Sequence, residues 1–111
     1  MVLLSKGIKM TEKEYYAKAI ELWGIDSQYD MLVEECAELI ADINRCKRGR
    51  IDVAKVAEEV VDVEMMINEI KSTIPDALYD KWRTLKWSKF KNQIRDGIKK
   101  KKEDKYNDLD I

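Results

Sequence analysis

Histidine is absent from the 111-residue chain; proline occurs once, cysteine twice and glycine four times. Each scarcity closes a class. Without histidine there is no serine–histidine triad, no imidazole-held zinc and no Glu-x-x-His di-iron bundle site. With so little proline and glycine, and no long run alternating polar with apolar, few turns and no strands are expected. Cys36 and Cys46 lack CxxC spacing and fall on one expected helix, too far apart to bridge each other. Reduced thiols in a cytoplasmic protein are the expectation. No apolar run approaches the ~20 residues that span a bilayer. Met1-Val2-Leu3-Leu4 is too short for the apolar region of a signal peptide, so no membrane partner is expected. No glycine-rich phosphate cradle is present, which excludes a P-loop. A charge excess of one sign is missing too. The net charge of −1 argues against a uniformly basic nucleic-acid binder and against an acidic disordered chain.

Charged residues make up 39% of the chain and hydrophobic ones 45%, enough for a folded core. At this length a single core is marginal, so the chain reads as one domain or as part of an oligomer. The expected fold class is all-α: a four-helix, bundle-like chain built on a central antiparallel helical hairpin. Residues 1–10 carry no periodicity and read as a flexible arm, 11–98 as the helical domain, and 99–111 as a charged, solvated tail. Thr11-x-x-Glu14 reads as a capping box opening a first helix that Gly24 ends. Tyr16 and Trp23 on that helix fit core packing or the lining of a base pocket. Asp26 or Ser27, with Ser27-x-x-Asp30, would cap a second helix running to about Cys46. A third helix would start near Asp52 and end by Thr73. Val61, Met65 and Met66 lie outside its main apolar stripe, which suggests a subunit interface. Pro75 and Asp76 suit the start of a fourth helix, carrying Leu78, Trp82, Leu85 and Phe90.

The second and third helices share a local word. Glu34-Glu35-x-x-Glu38-Leu39 stands on one and Glu58-Glu59-x-x-Asp62-Val63 on the other, with Lys47-Arg48-Gly49-Arg50 between them. A helix advances about 100° per residue, so Glu38 falls at about 300° when Glu35 is set at zero. Leu32, Cys36, Leu39 and Ile43 then lie between about 40° and 100°. With Glu59 at zero, Asp62 falls at about 300°, and Val56, Val60, Val63, Ile67 and Ile70 span about 20° to 100°. Each helix thus sets a carboxylate pair along the same edge of its apolar stripe. Folding the hairpin about an approximate two-fold axis brings those edges to one side. The pairs 35 with 62 and 38 with 59 share a midpoint between 48 and 49, so four carboxylates converge at one height. Converging carboxylates repel and resist desolvation, and a bound divalent cation relieves both. All-oxygen donors suit a hard ion, magnesium or manganese. Lys47, Arg48 and Arg50 at the turn complement a helix C-terminus or form a basic rim for phosphate.

Paired in this way, Glu34-Glu35-Cys36-Ala37-Glu38-Leu39-Ile40 and Glu58-Glu59-Val60-Val61-Asp62-Val63 resemble the two motif helices of the MazG-type nucleotide pyrophosphohydrolases. These belong to the all-α NTP pyrophosphatase superfamily, which includes the dimeric dUTPases and dCTP pyrophosphatases. The resemblance covers roughly residues 25–95. It implies hydrolysis of a nucleoside triphosphate, often a deoxy or non-standard one, to the monophosphate and pyrophosphate. It implies magnesium ligands at Glu35, Glu38, Glu59 and Asp62, and self-association as a dimer or tetramer. The family's substrate-binding lysine falls at Lys86. Its asparagine four residues on is replaced by Phe90, and Lys89 stands as a further phosphate contact. On the same reading Glu34 and Glu58, both at about 260°, are candidates to take a proton from the attacking water. Two other readings compete: a non-catalytic helical interaction module, and a degenerate family member that binds nucleotide or metal without hydrolysis.

Overall fold

The computed structural model describes residues 3–5 and 8–109. Among these, the chain forms four helices and one short antiparallel ladder. The all-α expectation holds with that one addition. β1 (Leu3–Ser5) and β2 (Ile8–Lys9) pair with Leu3 opposite Lys9 and Ser5 opposite Ile8. The ladder falls within the segment read from sequence as an arm. Strands of two and three residues are too short to show a period.

Helix α1 (Glu12–Trp23) opens as its sequence dictates. Thr11 Oγ1 accepts from the Glu14 backbone N–H at 3.2 Å, and the Thr11 hydroxyl donates to the Glu14 carboxylate at 3.1 Å. Gly24 ends the helix with φ +83°, and its N–H donates to the Ile20 carbonyl at 2.8 Å. Here the structure departs from expectation. Helix α2 (Ile25–Lys47) begins at the next residue, without a side-chain cap. Asp26 and Ser27 therefore lie inside its first turn and cap nothing. The physical reason is the glycine itself: one residue in the left-handed region reverses the chain, so no separate capping residue fits between the helices.

Arg48 closes α2, and Gly49 follows with φ +71°. Asp52 then caps α3 (Val53–Lys71) by accepting from the Ala54 N–H. The end of α3 is tied off by side chains. The hydroxyls of Ser72 and Thr73 donate to the carbonyls of Glu69 and Ile70 at 2.6 and 2.7 Å. Helices α2 and α3 pack most extensively against each other, and α1 packs on both.

Helix α4 (Asp76–Leu109) forms a second compact unit with its preceding proline, separate from the unit of residues 1–74. The Pro75 carbonyl accepts from Leu78 and Tyr79 in its first turn. This helix runs further than the sequence suggests. Lys99–Lys102 and the acidic residues after them continue it rather than forming an irregular tail, although their side chains are exposed. Lysine is a fair helix former, and Gly97 weakens the run by about 1 kcal/mol without ending it.

The first unit buries little apolar surface. Among the described side chains only Met10, Val63 and Ile70 are buried hydrophobics, against four buried polar ones: Gln28, Asp42, Glu59 and Glu69. Much of the apolar stripe of α3 remains open, with Val60, Val61, Met65 and Ile67 all exposed. No helix among the described residues is long and apolar enough to cross a membrane.

Candidate metal centre

The facing residues of α2 and α3 establish the hairpin's register. Asp62 lies close enough to Glu35 to raise its pKa, and Glu38 and Glu59 share one carboxylate cluster. Asp42 and Lys55 line one groove, and Gln28 reaches Glu69. Positions rise on one helix as they fall on the other, so the pair is antiparallel. Every facing pair shares a midpoint between 48 and 49, inside the turn. Positions 28, 35 and 42 face 69, 62 and 55, each step being seven residues, or two helical turns and roughly 10 Å. The result is a polar seam along the hairpin where an apolar one is usual.

The carboxylates meet at the centre of that seam. Glu35, Glu38 and Glu59 each present an oxygen within 4.8 Å of the other two. Glu59 is only 5% exposed, Glu35 is half-buried and Glu38 is exposed. One oxygen each of Glu35 and Glu59 is buried without a hydrogen-bond partner. Burial pushes the Glu35 carboxyl above its ordinary pKa, and the charges of Asp62, Glu38, Glu59 and Glu34 push the same way. The site is therefore electrostatically strained, and clustered carboxylates with unpartnered oxygens are a donor set that a hard cation can take up.

The remaining expected site residues fall in different places. Asp62 stands outside the triplet but beside it, half-buried, as the strongest charge acting on Glu35. Glu34 is exposed next to Glu35. Glu58 is exposed and paired with Lys55 at 3.5 Å. Arg48 is exposed at the C-cap of α2. Lys86 and Lys89 are exposed on α4, in the second unit.

Four residues of the seam were not legible as such. Lys55 Nζ lies 3.4 Å from Glu59 Oε1, and Arg45 Nη1 lies 2.7 Å from Asp42 Oδ1. At the other end Gln28, 2% exposed, is the most deeply buried large side chain. With its amide nitrogen turned toward α3, it donates to Glu69 Oε1 and Oε2 at 2.5 and 3.2 Å. Burial raises the Glu69 pKa. The signal that could have found Gln28, Lys55 and Glu69 is the midpoint rule applied one heptad either way from Glu35 and Asp62, and the i,i+3 spacing from Asp42 could have found Arg45.

Such a centre can hold a divalent cation between two helices. The donor set, carboxylate oxygen without sulfur or imidazole, fits magnesium or manganese. The chain matches no family model, no curated protein and no solved structure.

Proposed function

We propose that this chain is a magnesium-dependent nucleoside triphosphate pyrophosphohydrolase, cleaving an NTP or dNTP to the monophosphate and pyrophosphate. The observation that carries this reading is the convergence of Glu35, Glu38 and Glu59 from two helices, with two buried oxygens lacking partners. A solvated acidic surface leaves no such oxygens. The residue pattern Glu-Glu-x-x-Glu and Glu-Glu-x-x-Asp adds the resemblance described above.

Glu35, Glu38 and Glu59, with Asp62 beside them, would hold the magnesium, which when bound would supply charge neutralisation to the triphosphate and a more acidic water. The carboxylates fix where that charge sits and, in binding it, relieve their own repulsion. Glu34 and Glu58 are the candidates to accept the proton of the attacking water; Glu34 is exposed and Glu58 pairs with Lys55, which favours Glu34. The family pattern implies a phosphate contact at Lys86; Lys89, and Arg48 from the basic turn, are the other candidates. The exposed apolar positions of α3 support self-association as a dimer or tetramer.

The test is pyrophosphate release across the standard NTPs and dNTPs and several modified ones, with magnesium and with chelator. Metal-dependent release is expected. A second reading, a binding-only relative, is favoured by Phe90 standing where the family carries asparagine. It predicts that magnesium stabilises the fold while no nucleotide yields pyrophosphate. An interaction module with a solvated acidic edge predicts neither effect.

A further inference from the structure

The groove beside the carboxylates holds two cations with no part in the reaction as written so far. Its volume is about 480 Å³. Glu38 and Glu59 bound it on the side of the centre, Asp42, Arg45 and Lys55 on the side of the hairpin turn, and Ala37 and Ala41 leave its wall on α2 low. Both cations are occupied by carboxylates, but not by equivalent ones. Arg45 pairs with Asp42, which is no member of the triplet. Lys55 pairs with Glu59, which is, and also with exposed Glu58.

An ammonium is a poor occupant of such a centre. It carries half the charge of a divalent ion and reaches only one oxygen of Glu59, leaving the other buried and unpartnered. A divalent cation held by Glu35, Glu38 and Glu59 would supply that missing partner and compete with the ammonium for Glu59. Lys55 is half exposed on a flexible stem, so it can swing from the displaced contact without disturbing the core.

We propose that Lys55 is a place-holding cation: it neutralises Glu59 until the metal arrives, then turns into the groove and, with Arg45, holds the terminal phosphates of the triphosphate. The inference rests on the pyrophosphohydrolase reading and gives it a direction. The pyrophosphate end of the substrate points toward the hairpin turn, and the nucleoside end toward Gln28 and Glu69.

The idea makes a prediction of opposite signs that a structural lysine would not produce. Calorimetry on the full chain measures magnesium alone, and then inorganic pyrophosphate in the presence of excess magnesium. Lys55→Met removes a competitor for Glu59, so magnesium binds more tightly, by about two- to fivefold for a half-exposed pair. The same variant removes a charged phosphate contact, so pyrophosphate binds about tenfold or more weakly. Arg45→Met weakens pyrophosphate alone, because Asp42 is outside the triplet. Ala41→Leu fills the groove without changing a charge, and likewise weakens pyrophosphate while leaving magnesium unchanged. Magnesium affinity that stays level or falls in Lys55→Met overturns the place-holder. Pyrophosphate affinity unchanged in both Lys55→Met and Arg45→Met overturns the phosphate groove while leaving the metal centre standing. Wild-type protein that binds no magnesium removes the metal centre itself, and the place-holder with it.

Discussion

Replacing Glu59 by glutamine should make the metal-free protein more stable and abolish its response to magnesium. Glu59 is 5% exposed and presents an oxygen within 4.8 Å of oxygens of Glu35 and Glu38. Two like charges at that distance repel by ~3.5 kcal/mol at an effective dielectric of about 20, and by ~0.9 kcal/mol in bulk water. The substitution removes two such repulsions and eases the desolvation of a buried charge. Against that stands the lost ion pair with Lys55, whose ammonium keeps Glu58 as a partner. A net gain of ~1–3 kcal/mol is expected from these opposing contributions. For a unit of this size each kcal/mol moves Tm by about 4–8 °C, so chelated protein should melt at least several degrees higher. Magnesium at a hundred times its Kd stabilises wild type by about 2.7 kcal/mol through mass action and should leave Glu59→Gln nearly unmoved. Thermal melts of both proteins, in chelator and in excess magnesium, therefore show an order that narrows or reverses. If Glu59→Gln melts lower than wild type in chelator, and by the same margin in magnesium, the reasoning is refuted. Glu59 would then be a structural carboxylate satisfied by Lys55 alone.

The Gln28–Glu69 pair carries the opposite prediction. Gln28→Leu leaves a buried carboxylate without its donor and should cost about 2–3 kcal/mol in urea denaturation, whereas Gln28→Leu combined with Glu69→Leu should recover most of the loss. A double variant no more stable than Gln28→Leu alone would show that the pair contributes nothing by itself. The pH dependence follows from Glu35 and Glu69, both raised above the ordinary 4.5. A carboxyl with a raised folded pKa binds its proton more tightly folded than unfolded. These two groups therefore destabilise the fold increasingly as pH rises from about 4.5 through their folded values. Metal-free protein should lose stability across that window, and saturating magnesium should flatten or invert the slope by binding the ionised Glu35. A metal-free stability that climbs with pH there would contradict both shifts.

Much of the hairpin was readable because its rules are local. Thr11 and Asp52 cap where hydroxyl or carboxylate precedes an amphipathic run, and Gly49, just past the Arg48 C-cap of α2, turns the chain with positive φ. The convergence of Glu35, Glu38 and Glu59 followed from angles and a shared midpoint, which need only a helix period and a turn position. What stayed hidden depends on burial. In the sequence Gln28, Lys55 and Glu69 look like the ordinary polar face of charged helices. Only packing of α2 on α3 shows that Gln28, Glu59 and Glu69 are inside; the reach of Lys55 to Glu59 is an i,i+4 contact within α3, and what burial adds is that its partner is a buried carboxylate. Gly24 serving two helices at once, and α4 continuing through its lysines, were hidden for another reason. A cap or tail signal states where a helix can end, and tertiary and neighbouring residues decide whether it does.

A polar seam through the most extensive helix contact has a consequence for stability. An apolar seam would stabilise the hairpin whether or not anything is bound, at roughly 25 cal/mol for each Å² removed from water. Here the buried positions of the α2–α3 contact include Gln28, Asp42, Glu59 and Glu69, while Val60, Val61, Met65 and Ile67 face outward. With Val63 and Ile70 as the only buried hydrophobics on these two helices among the described residues, the hairpin is far more polar inside than an ordinary pair of packed helices. Two kinds of partner can supply what it lacks. A cation between the carboxylates stabilises the inside, and a second apolar surface over α3 stabilises the outside. If the proposed centre and self-association both hold, they are thermodynamically linked through α3. Metal binding that orders the α3 carboxylate edge also orders the face carrying Met65 and Ile67, so chelation should weaken association as well as lower Tm. Sedimentation at several protein concentrations, with magnesium and with chelator, tests this linkage. Association that is equally tight in both conditions would separate the two faces of α3 and leave the metal centre acting on its own helix pair alone.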